Sequence, residues 1–370
     1  MEVSARTKPH NKQLEVSVFG PGRGESIVVH IGNDKWVIID SCYDKDLGEP
    51  AALAYLRSIN VDIRRNVVLI ISTHWHDDHI RGLSKCVEEC ESASFCCSEA
   101  FNKKSFFEMI SAYDVNKITK SGSGTSEIVN VFNLLSERGE SVLKAIADRP
   151  LYKAGAGELE CAIVALSPSD EQVDAFHFDI AGIKIKVGDS RKRAPSCSPN
   201  HSCVVTLIQV GEQSILLGAD HEETTSPNTG WTAIVNSTLR PKVKCSVYKV
   251  AHHGSENGHV DAVWEEMLID QPHAVLTPYR NSKLPKNEMI EEILKKTETA
   301  YSTARNSDIN TNVKRDKVVD KMIKETVGKI KTEPKTGHVR IRNRVDGDIN
   351  AWESELFSGA CHLRHFSCMQ

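Results

Sequence analysis

Within six residues, His74-Trp75-His76-Asp77-Asp78-His79 gathers three imidazoles and two carboxylates. A solvated loop gains nothing from three histidines so close together. Imidazole and carboxylate are the borderline donors that zinc, manganese and iron prefer. The preceding Val67-Val68-Leu69-Ile70-Ile71 is a run of β-favouring apolar residues and reads as a buried strand. Donors grouped at the end of one strand can converge on a single point. A polar loop that merely happens to be rich in histidine is the poorer account. The cluster predicts a metal site.

The pattern His-x-His-x-Asp-His after a strand resembles the signature of the metallo-β-lactamase-fold hydrolases, and the resemblance extends over most of the chain. It implies an α/β fold, the αββα sandwich, and two divalent ions, zinc or manganese. By position, His74 and His76 would bind one ion, and Asp78 and His79 the other. Asp77 and Trp75 fall on variable positions, and Trp75 is assigned to packing. Trp36-Val37-Ile38-Ile39-Asp40 matches the strand whose terminal acid supports the metal loop from behind. Such outer partners orient ligands and tune the metal. Ser214-Ile215-Leu216-Leu217-Gly218-Ala219-Asp220 matches the strand-Gly-x-Asp whose carboxylate bridges both ions. Val247-Tyr248-Lys249-Val250-Ala251-His252-His253-Gly254-Ser255 matches the segment of the last ligand. His252 is assigned to the metal, and His253 is kept as a nearby acid, base or phosphate contact; Asp78 and His253 are the candidate catalytic residues. Residue types alone do not separate those two roles.

The third motif departs from the best-known members, which carry Gly-His-Ser/Thr where this chain has Pro199-Asn200-His201-Ser202-Cys203. Together with His-His-Gly-Ser, this arrangement looks more like the soluble hydrolase domain of bacterial competence DNA-uptake proteins of the ComEC type. There the position of Asn200 is the regular one and that of His201 varies. His201 is therefore a candidate ligand that would complete the first metal, with Asn200 supporting it.

The elements that must hold these groups read as one domain over 1–370. Short strands run from Val16 to Phe19 and from Ile27 to Ile31, joined by Gly20-Pro21-Gly22-Arg23-Gly24. That glycine-rich stretch joins two strands and lacks Gly-Lys-Ser/Thr, so it is a turn and not a phosphate loop. Pro50 opens a helix, Ala51 to Ile59. From 99 to 150 the spacing turns helical: Ile128, Val131, Phe132, Leu135, then Val142, Leu143 and Ile146 share one face. Ser121-Gly122-Ser123-Gly124 breaks it like a hinge. This is an inserted helical segment, either a lid or extra helices packed on the sandwich. Ile180 to Val187 alternates as a strand. The segment 311–344 carries eleven Lys or Arg against four Asp or Glu, in a chain whose net charge is −4. Val318, Val319, Met322, Ile323, Val327 and Ile330 make it an amphipathic helix with a basic face, and His338 to Arg344 a closing strand.

Composition is that of an ordinary soluble globular chain, with 40% hydrophobic and 26% charged residues. No apolar run approaches the roughly 20 residues that span a bilayer, and residues 1–12 are polar, so a cytoplasmic location is expected. The 11 cysteines follow no zinc-finger spacing. They read as reduced thiols, Cys86, Cys90, Cys96 and Cys97 included.

A pair of divalent ions makes hydroxide available near neutral pH and suits phosphodiesters, lactones, thioesters and β-lactams alike. Four features favour a phosphodiester in DNA: the His-His-Gly-Ser motif, Arg191-Lys192-Arg193 before the third motif, Lys283 and Lys286 after the strand Ala274 to Thr277, and the basic segment. Aromatic residues at 6% argue against a broad base-stacking surface. The sequence reading is a metal-dependent phosphodiesterase, a DNA nuclease. By resemblance it would serve in bacterial (antiviral) genome defence, with a regulatory protein partner from such a system. The alternatives are a small-molecule hydrolase (a lactonase or cyclic-nucleotide phosphodiesterase) and an inactive binding protein.

Overall fold

A computed structural model describes residues 7–22, 24–101, 124–155, 159–182, 199–309 and 335–367. Its apolar residues alternate along strands that stack as two eight-stranded sheets. From edge to edge the first sheet runs Glu353–Phe357, Gly337–Arg344, Gln13–Gly20, Ser26–His30, Trp36–Ile39, Val67–Ser72, Ser94–Ser98 and Leu143–Ala145. The second runs Cys361–His362, Ala300–Ser302, Leu268–Leu276, Cys245–Lys249, Gln213–Leu217, Thr206–Val210, Cys161–Ala165 and Arg149–Lys153. Tyr43–Asp44 and Glu49–Pro50 form a separate short hairpin.

Each sheet joins an antiparallel portion to a parallel one. In the first, Trp36–Ile39, Val67–Ser72, Ser94–Ser98 and Leu143–Ala145 are mutually parallel. In the second, Gln213–Leu217, Cys245–Lys249, Leu268–Leu276 and Ala300–Ser302 are parallel. In open parallel sheets ligands bind beyond the carboxyl ends of the strands. Here Ile39, Ser72, Leu217 and Lys249 end at such edges.

Alternation sorts the side chains into three apolar layers. Val16, Val18, Val29, Val37, Ile39, Leu69 and Ile71 meet Ile163, Ile208, Ile215, Leu217, Val247 and Val275 between the sheets. Val28, Ile38, Ile70 and Phe95 point outward, under the helix Ala51–Ser58 and its neighbours. Leu207, Leu216, Tyr248 and Leu276 point the other way, against Trp231, Trp264, Ile290 and Ile293. Burial of each such aliphatic or aromatic side chain contributes roughly 1.5–3 kcal/mol. The result is the αββα sandwich expected from the motifs. Among the described residues no helix is long and apolar enough to cross a membrane.

The expected helical stretch 99–150 is only partly helical. Residues 102–123, the greater part of its proposed hinge included, lie outside the described residues. Gly124–Arg138 is a helix that buries Ile128, Val131 and Leu135 against the first sheet's outer layer. It clasps the helix Leu83–Glu89 at both ends. The Glu127 carboxylate accepts from Ser84 N and Oγ at 3.1 and 2.6 Å, and Arg138 donates to the Val87 and Glu88 carbonyls at 3.0 and 2.8 Å. An acid at a helix start and a base at its end both favour the helix dipole. Gly139 then turns at φ 66°, and Leu143–Ala145 becomes an edge strand paired with Cys96–Ser98. The spacing that placed Val142, Leu143 and Ile146 on the same helical face therefore misled.

The strand expected at Ile180 to Val187 is corrected as well. Ile180 lies in the helix Asp170–Gly182, and 183–187 are outside the described residues. A reciprocal cap explains the helix: Gln172 N donates to Ser169 Oγ at 3.3 Å and Ser169 N to Gln172 Oε1 at 3.0 Å. Of the basic segment 311–344, residues 310–334 are outside the described part, and Gly337–Arg344 is a strand beside Gln13–Gly20. All nine described cysteines are buried, and no disulfide joins them.

Candidate metal centre

The strand Val67–Ser72 delivers Thr73 to His79 at its carboxyl end, and one turn of helix, Asp77–Ile80, folds Asp78 and His79 back toward the sheets. Asp220 arrives from the opposite sheet. Its approach depends on Gly218, where a Cβ would sit 2.9 Å from the Lys249 carbonyl oxygen. That closeness lets Gly218 N donate to Lys249 O at 3.1 Å and His252 N to Ala219 O at 2.9 Å. The two ligand-bearing segments of the second sheet are thereby joined.

Two groups of donors result. His74, His76 and Asp220 bring ligand atoms within 4.8 Å of one another, and so do Asp78, His79, Asp220 and His253. Asp220 belongs to both. Its Oδ2 lies 3.8 Å from His74 Nε2 and 3.3 Å from His253 Nε2, while Oδ1 lies 3.3 Å from His79 Nε2. Asp78 Oδ2 is 3.3 Å from His253 Nε2 and 3.8 Å from His79 Nε2.

Proton positions follow from Asp40, which is buried and accepts three hydrogen bonds. Thr73 N donates at 2.7 Å, Thr73 Oγ at 2.6 Å, and His79 Nδ1 at 2.7 Å. Since Thr73 gives its only proton to Asp40, its oxygen accepts from His74 Nδ1 at 2.9 Å. His253 Nδ1 donates to the Thr277 carbonyl at 2.8 Å. In all three histidines Nδ1 is committed outward, so Nε2 is the nitrogen that faces the donor group.

Three atoms there are buried and make no hydrogen bond: His79 Nε2, His253 Nε2 and Asp220 Oδ1. A fold rarely leaves buried polar atoms unsatisfied. Nitrogen and carboxylate oxygen converging in this way fit a zinc- or manganese-type divalent ion. The electrostatics divide the histidines: two are held neutral, and on the other two a bound ion would take the place of the Nε2 proton. Burial, with His79 and His76 nearby, pushes His74 well below its usual value, so it is neutral. Burial also lowers His76. Burial opposes charge on His79 too, but Asp220 and Asp40 outweigh it and raise that group well above normal. For the same reason Asp220 and Asp78 lift His253 to about 9 despite its burial. Asp220 is held well below the usual carboxylate range: burial works against this, and His253 and His79 overcome it. Burial raises Asp40, with His79 and Thr73 pulling it back.

The structure brings together His74, His76, Asp78, His79 and Asp220, as the motifs imply, with Asp40 behind them. Of the histidine pair it turns His253, and not His252, toward these groups. His252 and His253 both adopt left-handed backbone, at φ 45° and 55°, and their rings diverge to 6.2 Å between centroids. His253 faces Asp78 and Asp220, whereas His252 Nδ1 turns to Asn257 Oδ1 at 3.0 Å and Glu222 Oε1 at 3.3 Å. His201 also stays out of both groups. Its side chain is 55% exposed on the turn Pro199–Ser202, with Nε2 3.8 Å from Glu222 Oε2. Asn200 is buried and donates to Glu222 Oε1 at 2.7 Å, and its Nδ2 lies 3.3 Å from His252 Nε2. Trp75 packs in the outer apolar layer.

Lys283 and Lys286 are exposed on the segment after the strand Leu268–Leu276, which also carries Tyr279, whose ring stacks on His253 at 5.0 Å between centroids. Arg191, Lys192 and Arg193 lie outside the described residues. A cleft of about 230 Å³ opens beside Asp78, lined among others by Tyr43, Lys45, Arg81, Tyr279, Asn281 and Lys335.

Sequence reasoning passed over Thr73, Glu222, Tyr279, Thr277, Glu25 and Lys249. Lys249 is the one charged residue of the strand Cys245–Lys249 and stands at its end, a weak signal by itself. Glu222 stands two residues beyond Asp220, on the same stretch of loop.

Residues 19–151 match the family model described as the metallo-beta-lactamase superfamily, a span that includes Asp40 and the whole His74–His79 loop. No curated protein matches the chain. Among solved structures, the metallo-beta-lactamase fold protein YhfI from Bacillus subtilis is similar at 13% identity and a TM-score of 0.40, over 78% of this chain and 95% of that one. A Cronobacter sakazakii metallo-beta-lactamase with a HARLDQ motif aligns at 11% identity and TM-score 0.33, over 61% and 67%. MEM-A1, a subclass B3 metallo-beta-lactamase from a soil metagenome library, aligns at 10% and 0.31, over 88% of each chain.

Proposed function

We propose that the metallo-beta-lactamase superfamily domain of this chain is a metal-dependent phosphodiesterase acting on DNA. The observation that carries the hydrolytic part is the convergence of Asp78, His79, Asp220 and His253 beside His74 and His76. His74, His76 and Asp220 would hold one divalent ion, and Asp78, His79, Asp220 and His253 the second. Two such ions supply Lewis acidity, which makes hydroxide available at neutral pH and offsets charge on attacking and leaving oxygens. The chain's own part is to fix the donors: Asp40 and Thr73 lock the tautomers of His79 and His74, and the Thr277 carbonyl that of His253.

Support for a nucleic-acid substrate comes from the His252-His253-Gly254-Ser255 turn, with its resemblance to competence-type domains, and from the position of Lys283 and Lys286. Their loop also carries Tyr279, the residue stacked on His253. The basic residues of 311–344 would add backbone contacts. A role in genome defence, with a partner protein that controls cutting, belongs to the same proposal.

A second reading draws on the cleft beside Asp78. At about 230 Å³, and lined by Asp44, Asp46 and Asp77 as well as by Lys45, Arg81 and Lys335, it suits a small substrate of mixed charge. Purified protein loaded with zinc or with manganese should be offered plasmid, single-stranded DNA, RNA, nitrophenyl phosphodiesters and a lactone. Cutting of DNA that disappears in Asp78→Ala supports the nuclease. Turnover of the small esters alone supports the second reading.

A further inference from the structure

Behind the donor groups lies a charge pair that coordination chemistry does not require. Glu25 and Lys249 form an ion pair in which each side chain is only 1% exposed. Such a pair loses the hydration of both charges on burial, and apolar residues of equal volume are often no less stabilising. Its place in the fold points to a different use. Glu25 N donates to the Asp78 carbonyl at 2.9 Å. The approach is close because residue 24 is glycine, where a Cβ would stand 3.0 Å from that same oxygen. Lys249 Nζ donates to the Ala219 carbonyl at 3.4 Å, one residue before Asp220. Thr277 Oγ donates to Glu25 Oε2 at 2.5 Å and sits 3.2 Å from His253 Nδ1, whose other partner is the Thr277 carbonyl.

We infer that the buried Glu25–Lys249 pair is a positioning device, which ties the segments bearing Asp78, Asp220 and His253 into one rigid cradle for the second divalent ion. Glu25 meets the Asp78 carbonyl through its own backbone N–H, Lys249 reaches the carbonyl beside Asp220, and Thr277 carries the link from Glu25 to His253, so the pair joins the two sheets at the point where those ligands meet. Among the contacts above, none reaches His74 or His76. The pair should therefore tune the second site more than the first, which it reaches only through the shared Asp220. The inference rests on the two-ion reading.

The test is calorimetric titration of the metal-free protein with zinc and with manganese, alongside thermal unfolding. Wild type binding fewer than two equivalents would remove the two-ion reading itself and is seen before any variant is made. Lys249→Met alone leaves a buried charge unpaired and is expected to unfold, so the informative variants are Glu25→Gln/Lys249→Met and Thr277→Val. The double variant has no orphan charge, and Thr277→Val keeps the ion pair while cutting its link to His253. In the double variant the second equivalent should weaken by about tenfold or more, within the 10–100-fold typical of lost outer partners. The first should change by less than about threefold. Thr277→Val should show the same selectivity at smaller size, because the Thr277 carbonyl still holds His253. Unchanged affinity of both equivalents, or equal weakening of the two, would overturn the inference. If the double variant does not fold, Thr277→Val decides by the same criteria.

Discussion

Replacing Asp40 by Asn tests whether the tautomer argument governs the centre. The change is nearly isosteric, and the site is fully buried, so packing is preserved. The hydrogen-bond ledger is not. Asp40 Oδ1 accepts from Thr73 N, while Oδ2 accepts from both Thr73 Oγ and His79 Nδ1. An asparagine that keeps its oxygen toward Thr73 N turns an NH2 group on the other two. His79 Nδ1 must then give up its proton and accept, which moves that proton to Nε2. The lone pair aimed at Asp78 and Asp220 is lost. A charge-assisted hydrogen bond contributes roughly 1.5–3 kcal/mol, and about 1.4 kcal/mol is tenfold in an equilibrium constant. Weaker binding of the second equivalent by ten- to a hundredfold is therefore expected. Thr73 Oγ faces the same NH2 group and would turn its proton toward His74, so the first equivalent should weaken too, by less. Competition titration against a chelator measures both. Nitrogen-15 shifts of the histidine rings in the zinc-loaded protein report directly which nitrogen keeps its proton. Unchanged affinity, with His79 still protonated at Nδ1, would refute the reasoning.

Asp78→Ala should lower turnover by about a hundredfold or more, the size of a single acid–base or electrostatic contribution; steady-state rates with circular dichroism as a folding control check this, and full activity would end the two-ion mechanism. Lys283→Glu/Lys286→Glu should weaken DNA of all sequences alike and lower the slope of log affinity against log salt by about 0.9 per lost duplex contact. Hydrolysis of a small chromogenic diester should barely change; equal loss on both substrates would assign the loop to the site's structure. His221 is buried against Trp231, and burial lowers it to about 4. The unfolded chain takes up a proton near pH 6.5, so the contribution is complete above that pH and is lost as pH falls toward 4. About 2.5 units at 1.36 kcal/mol each gives roughly 3 kcal/mol. Urea midpoints at pH 7 and pH 5 in chelator should converge in His221→Leu relative to wild type, and an identical acid loss in the variant would exclude His221 as its source.

What the sequence disclosed and what it concealed divide along physical lines. The loop His74 to His79 was legible because its donors are local: one strand end and one turn fix their mutual positions. Asp40 and Asp220 were legible for a related reason, since each follows an apolar run that must be a buried strand and therefore projects from its carboxyl end. The histidine pair was not. Adjacent residues of one type differ only in backbone direction, and two successive left-handed conformations at His252 and His253 decided which ring turns inward. Leu143 was misassigned because an edge strand of three residues carries no period of its own, and its pairing partner Cys96 is distant in sequence. Ser169 and Gln172 show the opposite case, a cap readable three residues apart that outweighs the alternation seen beyond it.

The same distinction explains why the Glu25–Lys249 pair escaped notice. A glutamate after a glycine-rich turn and a lysine ending a strand are each unremarked alone. They acquire meaning only when the two sheets stack and both side chains are withdrawn from water. In each sheet the ligands stand just beyond the carboxyl ends of parallel strands. A centre assembled from both halves needs something to hold the halves in register at atomic precision. Apolar layers such as Val37 against Ile215 tolerate small slips, because dispersion is weakly directional. A buried charge pair with fixed hydrogen-bond partners does not, since any slip leaves an uncompensated charge in a dry interior. The apolar layers thus set which elements meet, and the polar contacts behind Asp78, Asp220 and His253 set how accurately they meet.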